Sequence, residues 1–214
     1  MKNRCFRTAT PADMPRILEI IRQAQRRMAA AGSLQWQDGY PAPANIASDL
    51  AHGYGHVICR SGQDTPKRGQ DEAAKLVPAN ATAGKDSPDE RYPDANGNPD
   101  PAVETILAYG AIVFDGEPAY EALDGTWLTD SPYVVVHRLA VADEALGHGL
   151  GTEFLNRTEQ LARRRGIGSF RIDTNFDNLR MLHILSKNGF TRCGKVVYRS
   201  GEREAFEKRI DSGE

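Results

Sequence analysis

The sequence predicts a single α/β domain over residues 1–214, with a mixed, mostly antiparallel central sheet flanked by helices on both faces. Three observations predict this class: strand and helix patterns alternate along most of the chain, one strand is apolar on both faces, and a glycine-rich loop joins that strand to a helix. A chain of 214 residues, 40% of them hydrophobic, suits one large domain that buries roughly 70% of its unfolded surface.

Charge and hydropathy argue against two classes of partner. The 27 Lys and Arg residues nearly balance the 29 Asp and Glu residues, for a formal net charge of −2, so we expect no nucleic-acid partner. No apolar run approaches the roughly 20 residues that span a bilayer, and the first residues lack the apolar core of a signal peptide. We therefore expect a cytoplasmic protein without a membrane partner.

The cysteines and histidines give no metal or disulfide pattern. Cys5, Cys59 and Cys193 are odd in number and far apart in the chain, which predicts neither a disulfide framework nor a Cys-x-x-Cys metal or redox pair. The histidines likewise lack the spaced partners of a metal site, so the sequence predicts none.

Residues 61–103 differ from the rest of the chain. They hold half of its 12 prolines and few large apolar residues, so they bury too little surface to offset the entropy of ordering them. Because 54–60 and 104–114 both have strand patterns, we expect a flexible insertion that extends the turn of a hairpin. A second structured domain in this segment is the alternative.

The amino-terminal part predicts one strand and two helices. A short strand at 5–8 precedes a helix that Thr10 caps, whose apolar residues recur at helical spacing until Gly32 ends it. A second helix is expected over 44–52. The remaining elements follow in order: strands at 105–114 and 133–141, a helix from the glycine loop to about 165, a strand at 169–174, a helix from Asp177 or Asn178 to Asn188, and an antiparallel pair at 190–198 and 203–208.

The glycine loop is the sharpest local feature. Gly147-His148-Gly149-Leu150-Gly151 lies between the central strand at 133–141 and a helix, where bare N–H groups and the positive helix end suit a phosphate or pyrophosphate. A Walker loop would need a lysine that is missing, and a dinucleotide fingerprint would need glycine where Thr152 stands. A nucleotide-phosphate enzyme and a plain tight turn remain open on the glycines alone.

Two spaced motifs resemble the GCN5-related N-acetyltransferase (GNAT) superfamily. The stretch from Leu146 to Gly151 is similar, except at its first position, to that family's acetyl-CoA loop, Arg/Gln-x-x-Gly-x-Gly/Ala. The stretch from Asn178 to Phe190 is similar to the family's Asn-x-x-Ala-x-x-Leu-Tyr-x-Lys-x-Gly-Phe element. The resemblance covers nearly all of the chain outside 61–103.

The resemblance implies an acetyl-CoA site. The pyrophosphate would contact the loop's N–H groups, and the pantetheine arm would pair with the backbone of the central strand as an added strand does, in a slot where two central strands separate. An N–H near Leu139 would stabilise the oxyanion. The residues implied for acetyl-CoA are Leu139, Val141, Gly147, His148, Gly149, Leu150, Gly151, Thr152 and Asn178.

Two departures from the family pattern affect the site. Leu146 replaces an arginine or glutamine, so phosphate binding should depend on backbone groups, with His148 as a candidate helper. Leu185 stands where many relatives carry the tyrosine that protonates the leaving thiolate. That role is either unfilled or passes to another group such as Tyr198.

An acceptor amine needs a base or a water relay, because an aliphatic amine is mostly protonated at neutral pH. His137, in the central strand, is one candidate base, because a histidine ordinarily titrates near pH 6.5. The alternative interpretation is a neutral histidine packed within the sheet. Glu117, on the loop after the preceding strand, is the other candidate, with a solvated turn carboxylate as the alternative.

Acceptor recognition is expected from the loop between the first two helices. Trp36 and Tyr40 would contact an apolar acceptor body, and Asp38 or Glu117 would attract a cationic amine, although each aromatic ring could instead anchor the loop in the core. The sequence thus predicts an N-acetyltransferase that moves acetyl from acetyl-CoA to a primary amine, on a small molecule or a peptide, by direct attack in a ternary complex. The alternative is a non-catalytic acyl-CoA sensor, and a homodimer is left open.

Overall fold

The computed structural model describes residues 4–60 and 104–211, whose strands form one eight-stranded sheet between helices. The strands are β1 (Arg4–Thr8), β2 (Gly55–Arg60), β3 (Thr105–Val113), β4 (Asp124–Gly125), β5 (Tyr133–Val141), β6 (Ser169–Thr174), β7 (Thr191–Tyr198) and β8 (Gly201–Arg209). The helices are α1 (Met14–Ala30), α2 (Pro43–Ala51), α3 (Leu150–Arg164) and α4 (Leu179–Lys187). None of these helices combines the length and apolar character needed to cross a membrane.

The sheet has the order β1-β2-β3-β5-β6-β8-β7-β4, and its one parallel pair is β5 with β6. The predicted mixed, mostly antiparallel sheet is therefore confirmed. β2 and β3 are antiparallel neighbours, as expected of strands that flank an extended hairpin turn. The proline-rich insertion itself, and the alternative of a second domain there, fall at 61–103 and lie outside the described residues.

The first helix begins differently from the prediction. Thr10 precedes a 3-10 turn at Pro11–Asp13, and α1 starts only after it. The Asp13 carboxylate accepts hydrogen bonds from the Thr10 N–H at 2.7 Å and from its hydroxyl at 3.0 Å. The Asp13 N–H donates to the Thr10 carbonyl at 3.0 Å, an i→i+3 bond, so the chain enters α1 through a 3-10 turn, which is frequent at helix amino termini.

The prediction of no disulfide is wrong. Cys5 in β1 lies directly opposite Cys59 in β2, with Cα atoms 5.1 Å apart and the two Sγ atoms bonded. The strand register brings together two residues that are 54 positions apart in sequence, which spacing alone does not reveal. Cys193 is a free thiol.

Helices cover both faces of the sheet, and consecutive residues of β3 show this directly. The Tyr109 hydroxyl reaches Asp49 of α2 at 2.6 Å, whereas the Gly110 backbone lies against the Phe154 ring of α3. Because neighbouring residues of a strand point to opposite faces, α2 and α3 lie on opposite sides. Phe154 is fully buried and also packs edge-on against Phe6 of β1.

β5 is irregular where it matters for the site. It pairs with β6 at only three positions, from Tyr133 to Val135, and the two strands then separate. On its other side the register with β3 shifts by one residue, so that Arg138 and Leu139 both lie opposite Gly110. This β-bulge gives Arg138 a φ of +57°.

We expect Gly110→Ala to destabilise the fold by about 1–3 kcal/mol, because overpacking a buried site costs that much. An added Cβ would lie 2.7 Å from Cζ of the fully buried Phe154 ring, so the ring or the strand would have to shift. Gly168→Ala is the matched control, since its Cβ would meet Ser131 at an ordinary 3.6 Å. Urea unfolding measures both variants, and equal stability of the two would contradict the packing argument.

Candidate active site

A cavity of about 800 Å³ opens where β5 and β6 separate. Both strands line it, as do α2, the loops that follow α1 and β3, the start of α4 and the β7–β8 turn. Eight of the sequence-predicted site residues line this cavity: Trp36, Asp38, Tyr40, Glu117, His137, Leu139, Asn178 and Tyr198. Val141, the last residue of β5, and residues 147–152, which follow it in the chain, lie outside the lining.

The two candidate bases form a pair. His137 Nε2 lies 3.1 Å from Glu117 Oε2, and both side chains are largely buried. Burial opposes ionisation of Glu117, but the hydrogen bonds from His137 and from the Ala119 N–H outweigh it, so the pKa of Glu117 lies below its usual value. The carboxylate therefore stays charged at neutral pH and accepts from His137 Nε2–H, an arrangement in which Nδ1 is the nitrogen left to accept a proton.

The glycine loop forms an exposed turn ahead of α3. Gly147 and Gly149 have φ values of +79° and +74°, which only glycine adopts without strain. The first helical hydrogen bond runs from the Glu153 N–H to the Gly149 carbonyl, so the N–H groups of residues 150–152 have no partner within the helix. Gly151 instead allows close packing on α4, since its Cβ would lie 3.0 Å from Ile184.

The edge of β5 presents backbone donors to the gap. The Ala142 N–H donates to Leu107 on the β3 side, and N–H directions alternate along a strand, so the N–H groups of Leu139 and Val141 face the separated β6 side. Arg27 of α1 donates to the Val141 carbonyl at 2.7 Å. Leu139 and Val141 are the residues predicted to pair with the pantetheine arm. Val141 can do so through its N–H, because its carbonyl already accepts from Arg27.

Asn178 caps α4 from the opposite wall of the cavity. Its Oδ1 accepts from the Met181 N–H at 3.1 Å, which confirms the predicted helix start. Its Nδ2 donates to Gln35 Oε1 at 2.8 Å, which joins α4 to the loop that follows α1. The side chain lines the cavity while it holds these two elements together.

Tyr198 shares a carboxylate with a second tyrosine. Its hydroxyl donates to Asp173 Oδ1 at 3.1 Å, and the Tyr120 hydroxyl donates to the same oxygen at 2.8 Å. Burial, followed by the Asp173 charge, raises the pKa of Tyr198, so the phenol keeps its proton through the neutral range. Leu185, at the position of the family's tyrosine, is fully buried in the core and does not line the cavity.

The predicted acceptor residues lie together on one side of the cavity but differ in exposure. Trp36 is only 8% exposed and belongs to the core, with a φ of +64°, whereas Asp38 is exposed and accepts from the Tyr40 N–H. Tyr40 is partly buried, and its hydroxyl accepts from Arg138 at 2.6 Å. Trp36 thus anchors the loop as well as lining the cavity.

Sequence reasoning missed the buried cluster behind this loop. Arg138 makes a two-pronged contact with Asp49 of α2, whose carboxylate also accepts from the Tyr109 hydroxyl. One signal was present: an arginine interrupts the otherwise apolar central strand, and such a charge is costly to bury without a partner. The partner on α2 is not apparent from local sequence.

We expect Glu117→Gln to lower the melting temperature at about pH 7 and the difference to shrink below about pH 4. Because folding lowers the pKa of Glu117, its charge stabilises the protein above the ordinary glutamate pKa and that contribution is lost as the pH falls. Glu121→Gln is the control, because Glu121 is exposed in the short 3-10 helix Pro118–Ala122 that Glu117 caps. Thermal unfolding across this range provides the measurement; a difference that is the same in acid and at neutrality would contradict it.

Comparisons with known proteins agree on one family. Residues 79–190 match the family described as "Acetyltransferase (GNAT) family". No curated protein sequence matches the chain significantly. A solved GNAT acetyltransferase from Streptococcus agalactiae is 28% identical over 98% of this chain and 97% of its own, with a TM-score of 0.70.

Two further solved structures share the fold at lower identity. A GNAT acetyltransferase from Listeria monocytogenes is 16% identical over 97% of this chain and 95% of its own, with a TM-score of 0.62. A putative acetyltransferase from Salmonella typhimurium, solved with its cofactor acetyl-CoA, is 16% identical over 100% of this chain and 97% of its own, with a TM-score of 0.54. Since the family match covers more than half of the 214 residues, the chain belongs to the GNAT acetyltransferase family.

Proposed function

We propose that the protein transfers the acetyl group of acetyl-CoA to a primary amine by direct attack in a ternary complex. One observation carries the proposal: the separation of β5 and β6 opens into a cavity of about 800 Å³ that contains the His137–Glu117 pair. A gap that could hold a thioester arm and a candidate base thus lie in the same cavity.

The donor fits the side of the gap formed by β5. The N–H groups of Leu139 and Val141 face it: that of Val141 would pair with an amide carbonyl of a pantetheine arm, and that of Leu139 with the thioester carbonyl. The pyrophosphate would then meet the N–H groups of residues 147–152 and the positive end of the α3 dipole. Gly147 and Gly149 leave this surface open, because neither carries a side chain and no group other than their chain neighbours lies within 4 Å of the position that a Cβ would take.

The acceptor would enter from the other side of the cavity, past Asp38 and Tyr40. His137 takes a proton from the amine, and Glu117 holds the imidazole with Nε2 protonated and balances the positive charge that forms. The amine nitrogen then attacks the thioester carbonyl carbon. A C–N bond forms, the C–S bond breaks, and coenzyme A leaves as a thiolate. His137 has taken the proton of the ammonium form, so the nitrogen loses one further proton as the amide forms, which balances the proton that the thiolate takes up.

Two developing charges need stabilisation. The Leu139 N–H is the candidate donor to the oxyanion, a type of interaction often worth about 3 kcal/mol. The thiolate takes up one proton, for which Tyr198 is the candidate donor. Its raised pKa makes Tyr198 a weaker acid. A thiolate is a better leaving group than an amine, so its departure depends less on protonation.

A non-catalytic acyl-CoA sensor is the second candidate. It is favoured by one observation: Leu185 is buried and the Tyr198 hydroxyl is engaged by Asp173, so neither supplies a ready acid. Incubation with acetyl-CoA and a panel of primary amines, while free thiol is followed, separates the two. Amine-dependent thiol release supports the enzyme. Thermal stabilisation by acetyl-CoA without release from any amine supports the sensor, and stabilisation by ATP or NAD instead supports a nucleotide-phosphate enzyme.

We expect His137→Gln to lower kcat/KM for the best amine by about 10²-fold, within the usual range for loss of a general base, and to remove the acidic limb of its pH profile. His183→Gln is the matched control, because His183 is exposed on α4 and does not line the cavity. An acidic limb that persists unchanged in His137→Gln would show that the histidine is structural.

We expect Leu146→Arg to tighten coenzyme A binding by about threefold to tenfold, because a guanidinium beside the loop would add a charged contact to the pyrophosphate. Val197→Arg adds the same charge at an exposed position of β7 and serves as the control. Isothermal titration calorimetry gives both dissociation constants. Equal binding of coenzyme A by the two variants would contradict the proposal that residues 147–152 bind the pyrophosphate.

A further inference from the structure

The bulge in β5 decides which backbone donors face the gap. The Ile112 N–H donates to Tyr54 on the β2 side, so the odd-numbered residues of β3 face β5. Before the bulge, Ala111 pairs with His137; after it, Tyr109 pairs with Ala140. A regular strand would instead have placed Leu139 opposite Tyr109.

The extra residue therefore changes the partners of the donors beyond it. In a regular strand the N–H groups of Leu139 and Val141 would turn towards β3 and join its hydrogen-bond ladder. With the bulge, Ala140 and Ala142 take those places, and Leu139 and Val141 face the gap. The donor side of the proposed acetyl-CoA site thus exists only because the strand is irregular at Arg138.

Arg138 adopts a conformation that its residue type disfavours. Among the described residues, only Arg138 and Trp36 combine a side chain with a φ in the left-handed region. A β-carbon clashes with the following carbonyl in that region, so the conformation persists only when surrounding contacts hold it.

The Arg138 side chain supplies such contacts. Its Nε donates to Asp49 Oδ2 at 2.7 Å and its second terminal nitrogen to Asp49 Oδ1 at 2.5 Å. The remaining terminal nitrogen donates to the Tyr40 hydroxyl at 2.6 Å. The Asp49 side chain is only 4% exposed and is held in turn by the Tyr109 hydroxyl at 2.6 Å. A planar guanidinium bound on two sides cannot rotate without breaking several buried hydrogen bonds.

We propose that Arg138 is a positioning residue: its anchorage on Asp49 and Tyr40 holds the β5 bulge in its left-handed conformation and so keeps the N–H groups of Leu139 and Val141 directed at the acyl donor. The effect of Arg138 on acetyl transfer rests on the proposed function. Its effect on the direction of the Leu139 and Val141 N–H groups rests on strand geometry alone. It also links the loop on the acceptor side, through Tyr40, to the donor side of the cavity.

Three variants test this role. Arg138→Ala removes the anchor and keeps the strain, whereas Arg138→Gly removes the anchor and the strain together, because glycine adopts positive φ freely. Arg7→Ala is the matched control: Arg7 makes a similar two-pronged contact with Asp13, at 2.8 and 3.0 Å, away from the cavity. If Arg138→Ala does not fold, Arg138→Lys replaces it, since lysine keeps the charge without the two-pronged geometry.

Amide hydrogen exchange of the ligand-free proteins is the first measurement. In the wild type and in Arg7→Ala, the Leu139 and Val141 amides should exchange rapidly. In Arg138→Ala they should become protected by at least tenfold, as the strand relaxes into the β3 ladder. Unchanged exchange in a folded Arg138→Ala would overturn the inference, whether or not the protein proves to be an enzyme.

The second measurement is of acetyl-CoA binding and turnover. Arg138→Ala should weaken acetyl-CoA binding and lower kcat by about tenfold each, Arg138→Gly should recover at least threefold of both losses, and Arg7→Ala should stay within about twofold of wild type. Equal impairment of the Ala and Gly variants would overturn the inference, because the loss would then follow the charge and not the backbone. A wild type that binds acetyl-CoA but releases no thiol would refute the proposed function alone, with the binding constants still deciding the role of Arg138.

Discussion

β5 and β6 share three residue pairs and then separate, and the site depends on this separation. A buried strand edge with unpaired N–H groups is unfavourable in a folded protein, so an edge of this kind calls for another hydrogen-bonding partner. An extended amide-containing arm is such a partner, since it can complete the ladder that β6 leaves unfinished. The glycine turn and the amino terminus of α3 follow β5 in the chain, so an anion-binding surface comes soon after this edge in sequence.

Carboxylates from three different elements organise the cavity. Asp49 of α2 holds Arg138, Glu117 from the loop after β3 holds His137, and Asp173 of β6 accepts from two tyrosines. A buried charge without a partner is costly, so each pairing restricts the side chains around it to one arrangement. Such pairings reduce the side-chain freedom that remains to be lost when a ligand binds.

Local sequence was sufficient for the elements that frame the site. The apolar run of β5 predicted its bounds, 133–141, because a strand buried on both faces has few polar residues, and the glycine loop predicted the start of α3. The pairings were not predictable. The Arg138 bulge depends on Asp49, which is 89 positions away, and the disulfide depends on the register of β1 and β2. Both arise from tertiary contacts that leave no periodic signal in the chain.

The most direct test of the account is an amide NMR titration of the protein with acetyl-CoA, followed residue by residue. Binding in the gap should shift the amide resonances of Leu139, Val141 and residues 147–152 in one concerted, saturable process, with ATP unable to reproduce the shifts at the two β5 positions. Saturable binding that leaves those two amides unmoved, or no binding at all, would contradict the claim that the separated edge of β5 receives the acyl donor.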